Sequence, residues 1–172
     1  QMPDNIDSKP VAVSECIEPC AVNKAFVSEN MSVSRPILCL GYKISDLETD
    51  AYERQKRDIA LLILSELLFS HSGELYNDLY DNNMISSWFS ASVSYNKQFA
   101  NVTIGTETDK PEYVADEIKS YVKKVQQCGI SDMDFERCRR VVYSEYVGLF
   151  DSTEEIAEAL ADSALGNNSL FD

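Results

Sequence analysis

The residues of this chain that could do chemistry are few and widely spaced. His71 is the only histidine. A zinc site that takes two histidines from one helix, in the order His-Glu-x-x-His or His-x-x-Glu-His, therefore has no basis here. A serine nucleophile with His71 as its base would need a Gly-x-Ser-x-Gly turn ahead of a helix, and none occurs. Ser70-His71-Ser72-Gly73 reads instead as the end of a helix, where histidine often serves the last carbonyls. Cys16 and Cys20 are separated by three residues, but a structural zinc takes four ligands and no second pair lies nearby. The six glycines stand singly, so no phosphate-cradling loop is present. Glu154 and Glu155 open a helix, where acids complement the helix dipole. The expectation is a chain with no catalytic residues and no bound metal or cofactor.

One pattern offers a surface rather than a reaction. From Trp88 to Tyr95 the side chains alternate, with Phe89, Ala91, Val93 and Tyr95 on one face and Trp88, Ser90, Ser92 and Ser94 on the other. The serine row reads either as a plain solvated sheet face or as the lining of a cavity closed by another domain. On the cavity reading alone, Ser90 and Ser92, with Trp88 and Tyr80 as the larger surfaces, are the candidate ligand-contacting residues.

The elements that must position this strand can be read outward from it. Asn96-Lys97-Gln98 turns the chain, and Ala100, Val102 and Ile104 continue the alternation, giving a β-hairpin. Thr49 to Phe69 is a long helix, charged at first and apolar nearly all round from Ile59, so its C-terminal end is expected in the core, with Leu62 and Leu64–Leu68 at the centre. A short helix over 74–81 turns Leu75 and Leu79 inward. Ile37–Ile44 reads as a strand, with Cys39-Leu40-Gly41-Tyr42 apolar on both faces apart from Gly41 and hence central, after the break Ser34-Arg35-Pro36, and 25–31 as a short strand before it. Three helices follow the hairpin. The first starts at Pro111 and presents Val114, Ile118, Tyr121, Val122 and Val125; the second is capped by Ser131 and Asp134 and uses Phe135, Cys138, Val142 and Tyr146; the third starts at Ser152. Half-exposed alternation argues for an antiparallel-dominated sheet with helices on one face, an α+β two-layer sandwich.

Composition narrows the partners. The chain has 172 residues and a net charge of −14, which would repel a phosphate backbone; Arg137, Arg139 and Arg140 sit among Asp132, Asp134 and Glu136, so nucleic acid is set aside. No unbroken apolar run of about 18 residues exists, so no membrane span is expected. Five irregularly spaced cysteines read as free thiols in a reducing, cytoplasmic setting, with Cys39 and Cys138 as small buried hydrophobes. Residues 1–22, with three prolines and little periodicity, read as a linker or arm, and 23–172 as the domain.

The segment from Leu61 to Tyr95, LLILSELLFSHSGELYNDLYDNNMISSWFSASVSY, resembles the C-terminal, non-catalytic repeat of the insulinase/pitrilysin zinc metallopeptidases, bacterial members above all. The shared pieces are an apolar helix ending in His71-Ser72-Gly73, the helix Leu75-Tyr76-Asn77-Asp78-Leu79, a polar turn and the alternating strand. Ser34-Arg35-Pro36, the Thr106–Pro111 turn and Gly129-Ile130-Ser131 agree in order. The resemblance covers roughly residues 25 to 172. It implies a two-layer half-domain that pairs with a homologous zinc-bearing catalytic domain or subunit to enclose an unfolded peptide. Zinc is then expected in that other half, and the parent is a zinc endopeptidase. In many such halves an arginine and a tyrosine help to hold substrate; the matching positions here are Tyr80 and then Ser86 or Ser87, so that pair is missing. The resemblance also implies a further strand and helix after Phe171-Asp172, so that the domain as given is truncated. Inactive members also serve as scaffolds, which makes an inert assembly protein of the same fold the alternative.

Overall fold

The computed structural model describes residues 18–166. Cys16, most of the expected arm and the chain beyond Gly166 lie outside them. Among the described residues three strands and five α-helices are formed: β1 (Ile37–Ile44), α1 (Ala51–Phe69), α2 (Glu74–Asp81), β2 (Phe89–Tyr95), β3 (Ala100–Glu107), α3 (Pro111–Cys128), α4 (Asp132–Gly148) and α5 (Thr153–Gly166). The sheet is antiparallel throughout, in the order β1-β3-β2. Helices pack on one face of it, which is the α+β architecture expected.

Local chemistry explains the boundaries. Asp50 caps α1 by accepting from the backbone N–H groups of Tyr52 and Glu53, and Ser131 caps α4 by accepting from Asp134 N–H. α2 ends in a Schellman turn. Asn83 takes φ 56°, its N–H bonds to the Tyr80 carbonyl, and Met84 N–H bonds to the Leu79 carbonyl. Gly129 closes α3 at φ 77°, a conformation that glycine reaches without strain. After β3, the buried Thr108 ties three segments together. Its hydroxyl donates to the Met84 carbonyl and accepts from Lys110 N–H, while its own N–H bonds to the Pro36 carbonyl.

The main core lies between sheet and helices: Leu68, Phe69, Leu75, Leu79, Ile85, Phe89, Ile104, Val114 and Ile118. A smaller cluster of Ile63, Cys138 and Val142 seals α1 against α4, and Leu67 touches both. The expected core centre is therefore displaced. Leu64 is 37% exposed and Leu62 only borders the smaller cluster, because α1 meets α4 on one side and the sheet on the other and leaves a stripe free.

Other expectations change as well. β1 is an edge strand: its residues alternate between exposed and half-buried, and β3 takes the centre. Cys39, expected to be buried, is exposed, while Cys138 is fully buried. No strand forms over 25–31. Phe26 and Met31 are exposed there, and the nearby backbone bond from Val33 N–H to the Met31 carbonyl spans only two residues, so no ladder supports the segment. Phe135 is exposed because α4 engages α1 only from Cys138 onward. Within Ala51–Asp81 one stretch is long and apolar enough, by length and composition alone, to cross a membrane. In this fold the same residues pack α1 against β2 and α4.

Candidate functional site

The candidate surface is the sheet face turned away from the helices. Strand register assembles it from small or polar side chains in rows: Cys39, Gly105 and Ser90; Gly41, Thr103 and Ser92; Lys43, Asn101 and Ser94. The three serines, Cys39 and Gly41 are exposed. Trp88 opens the β2 side of this face and is 45% exposed. Its ring lies against Gly105, so closely that a Cβ built there would sit 3.3 Å from Trp88 Cη2 and 3.4 Å from Ser90 Oγ. Glycine at this point is what lets the indole lie along the sheet. Behind it, Thr106 donates from Oγ1 to the Trp88 carbonyl at 2.9 Å and fixes the backbone that carries the ring.

This face carries little charge. Lys43 closes one end, where it pairs with Glu18 at 3.0 Å and donates to the Pro19 carbonyl, drawing residues 18–19 to the end of the strand. Glu107 lies at the other end. Between them stand hydroxyls, an amide, a thiol and exposed backbone. Such a surface can hydrogen-bond an extended chain without selecting strongly among its side chains.

Of the four sequence candidates, Trp88, Ser90 and Ser92 are brought together on this face. Tyr80 is elsewhere. It stacks on Tyr76 at 5.5 Å between centroids, and Tyr76 packs against Phe89, whose side chain points into the core. Cys39, Gly41, Asn101, Thr103 and Gly105 were not among the candidates. The alternation of Asn101, Thr103 and Gly105 against Ala100, Val102 and Ile104 was the available signal for the β3 residues. Those of β1 were hidden by reading that strand as apolar on both faces.

His71 has a structural role. Its Nε2 lies 2.8 Å from the Phe89 carbonyl oxygen, and its ring stacks on Tyr76 at 4.3 Å. Because a carbonyl only accepts, Nε2 carries the proton and donates. The ring nitrogen nearest the strand is thereby occupied. Ser70 Oγ, at 3.1 Å, is hydrogen-bonded to Ser72 Oγ. Glu66, in the same cleft of about 420 Å³, has its carboxyl pushed up chiefly by burial and then by the nearby Glu145. This is not a nucleophile-and-base relay. Among the described residues no group of three His, Cys, Asp or Glu side chains is placed to hold a metal, so the donor set does not fit a zinc site.

An antiparallel three-stranded sheet under a helical layer defines an α+β two-layer domain. A family profile of the peptidase M16 inactive domain matches residues 14–142, three-quarters of the chain, and the chain belongs to that family. It is 27% identical over 142 residues to YmfH, an uncharacterized zinc protease of Bacillus subtilis, a match covering 83% of this chain and 33% of that protein. The fold is shared with a protease from Helicobacter pylori, with TM-score 0.66 and 19% identity over 81% of this chain and 33% of that one. It is also shared with the inactive peptidase domain of a proposed zinc protease from Bordetella parapertussis, with TM-score 0.62 and 14% identity over 83% of this chain and 76% of that one. The chain thus spans about a third of the length of its curated relative.

Proposed function

We propose that this chain is the non-catalytic half of a zinc-dependent endopeptidase, paired with a homologous zinc-bearing half, and that its outer sheet face forms part of the wall around an unfolded peptide. Family membership and the zinc-protease relative support the pairing and the zinc of the other half. The observation that carries the wall assignment is the in-register outer face. Its hydroxyls, backbone and exposed Trp88 suit an extended peptide of variable sequence. Trp88, Ser90 and Ser92 are the contact residues on this reading. Tyr80 would meet peptide only where the chamber extends past the edge of the sheet. The free thiols of Cys20, Cys39 and Cys128 on the surface fit a reducing, cytoplasmic setting. Neither nucleic acid nor membrane enters this reading.

The test uses the domain joined to its catalytic half. Ser92→Arg puts a long cation in the middle of the wall and should lower turnover of an unstructured peptide without lowering thermal stability. Unchanged turnover would sink the wall assignment and leave the family and fold untouched. A parent or gene neighbour without His-x-x-Glu-His would remove the peptidase itself in favour of an assembly role.

A further inference from the structure

A groove of about 520 Å³ runs between α2 and α3, within the helical layer and independent of the outer sheet face. Leu75, Leu79 and Met84 line its apolar part. At one end α3 supplies Tyr121 and Lys124 and α2 supplies Glu74. Lys124 Nζ lies 2.8 Å from Glu74 Oε1 and 5.7 Å from the centre of the Tyr121 ring. A lysine is thus held between a carboxylate and an aromatic face, an arrangement that stabilises a cation through both charge and ring quadrupole.

One turn further along the groove two carboxylates face each other in the lining without a cation, and Tyr113 stands a turn beyond them. Asp78 follows Glu74 by four residues on α2. Glu117 and Tyr113 precede Tyr121 by four and eight on α3, so they continue the same helical stripe. Tyr113 is 50% exposed, and no ion pair to Asp78 or Glu117 occurs among the described residues. Lys119, also on α3, is paired with Asp116 at 3.1 Å. Burial first, and then the charge of Glu74, pushes the Tyr121 phenol up, with Asp134 and Asp78 adding to it and Lys124 opposing; in the groove lining the carboxylates Glu74, Asp78 and Glu117 outnumber the one cation, Lys124.

We propose that the α2–α3 groove docks a basic segment of a partner polypeptide, with one lysine or arginine side chain entering among Tyr113, Asp78 and Glu117. The stem of that side chain lies along the apolar floor and its charged head meets the two carboxylates. Complementarity of charge selects the occupant, and the ring of Tyr113 gives the contact a place rather than a diffuse attraction.

The test is fluorescence anisotropy with this chain alone and a fluorescein-labelled peptide of repeated Lys-Ala-Ala units, with a Glu-Ala-Ala peptide as the reverse-charge probe. The lysine peptide should bind and the glutamate peptide should not. Asp78→Asn combined with Glu117→Gln should weaken binding roughly tenfold, about 1.4 kcal/mol. Tyr113→Ala should weaken it further, and Tyr113→Phe should preserve it. Glu154→Gln with Glu155→Gln makes the same change of net charge on α5 and should leave affinity within about twofold. Equal losses from both pairs of neutralisations would mean attraction by the overall charge of −14 and would overturn the proposal, as would absence of binding by the unaltered chain. Because no catalytic half is present in the assay, its outcome is separate from the fate of the wall assignment.

Discussion

Ile104 and Gly105 are adjacent on β3 and both buried, but different things cover them. Ile104 is 1% exposed beneath the helices, among Leu68, Phe89, Val114 and Ile118. Gly105 is covered from the other side by a single indole, that of Trp88. The pleat sends one residue into a close-packed interior and the next onto an open face with one large side chain resting on it. The inner face is therefore expected to set stability, and the outer face to tolerate change until a ligand is added.

The largest effect expected is at Ile104. Ile104→Ala removes branched side-chain volume where neighbours from two helices and another strand cannot all close in, and should cost about 2–5 kcal/mol in denaturant unfolding. A loss under about 1 kcal/mol would mean that the interior relaxes far more than this packing implies. Next comes Thr106, also fully buried and also pointing inward, but polar. Thr106→Val keeps the shape and leaves the Trp88 carbonyl only the longer hydrogen bond from Ser86 Oγ at 3.4 Å, which should cost about 0.5–1.5 kcal/mol. It should also loosen Trp88 across the sheet, visible as a shift in the emission of the only tryptophan. A stability loss with unchanged tryptophan emission would separate the two faces more completely than the geometry does.

The sequence made the inner face legible and the outer face only in part. Period-two alternation placed Phe89, Ala91, Val102 and Ile104 correctly, because burial selects apolar residues and leaves a pattern. The helix starts at Pro111 and Ser131 were legible for a similar reason, since cap chemistry is local. What could not be read was which strand lies in the middle. Cys39-Leu40-Gly41-Tyr42 looks apolar on both sides, yet cysteine and glycine are small enough to face solvent at little cost, and β1 is an edge. Nor could the centre of the core be read from α1. An all-round apolar helix does not say which of its sides meets a helix, which meets a sheet and which meets neither. The contact of Trp88 with Gly105 joins residues 17 apart and depends on strand register, which no local signal fixes. His71 was assigned to a helix end, and it does follow α1; its bond to Phe89 depends on where β2 lies relative to that end.

A smaller effect is expected at Gly105. Gly105→Ala puts a methyl group 3.3 Å from the indole, close enough that Trp88 must tilt outward, while the strand itself loses backbone freedom in the unfolded chain. These contributions oppose each other, so stability should move by less than about 1 kcal/mol. The sensitive readout is tryptophan accessibility. Acrylamide quenching should rise relative to the unaltered chain, and unchanged quenching would show that the ring does not depend on the glycine for its seat.

The smallest effect sharpens the comparison most, because it sets two neighbours on β2 against each other. Ala91 is half-buried, packs against the main core and lines the cleft beside His71. Ser92 is exposed, and its row across the sheet holds only Thr103 and Gly41. Arginine at position 91 would force a guanidinium against Phe69 and its neighbours or push β2 away from α1. Either outcome breaks the contacts that join this strand to the helical layer, so Ala91→Arg should cost several kcal/mol, about 2 or more by the penalty for an unpaired buried charge. The same substitution one residue later meets open space over a glycine. Ser92→Arg should change stability by no more than about 0.5 kcal/mol, as surface substitutions away from special features do. If both variants lose stability equally in chemical denaturation, the outer face is covered by something beyond the described residues. If neither loses stability, β2 is not anchored to the helices as its contacts require. Only a large loss at 91 beside a negligible one at 92 leaves Ser92→Arg usable as a probe of peptide turnover, since its effect there could then be charged to the wall and not to the fold.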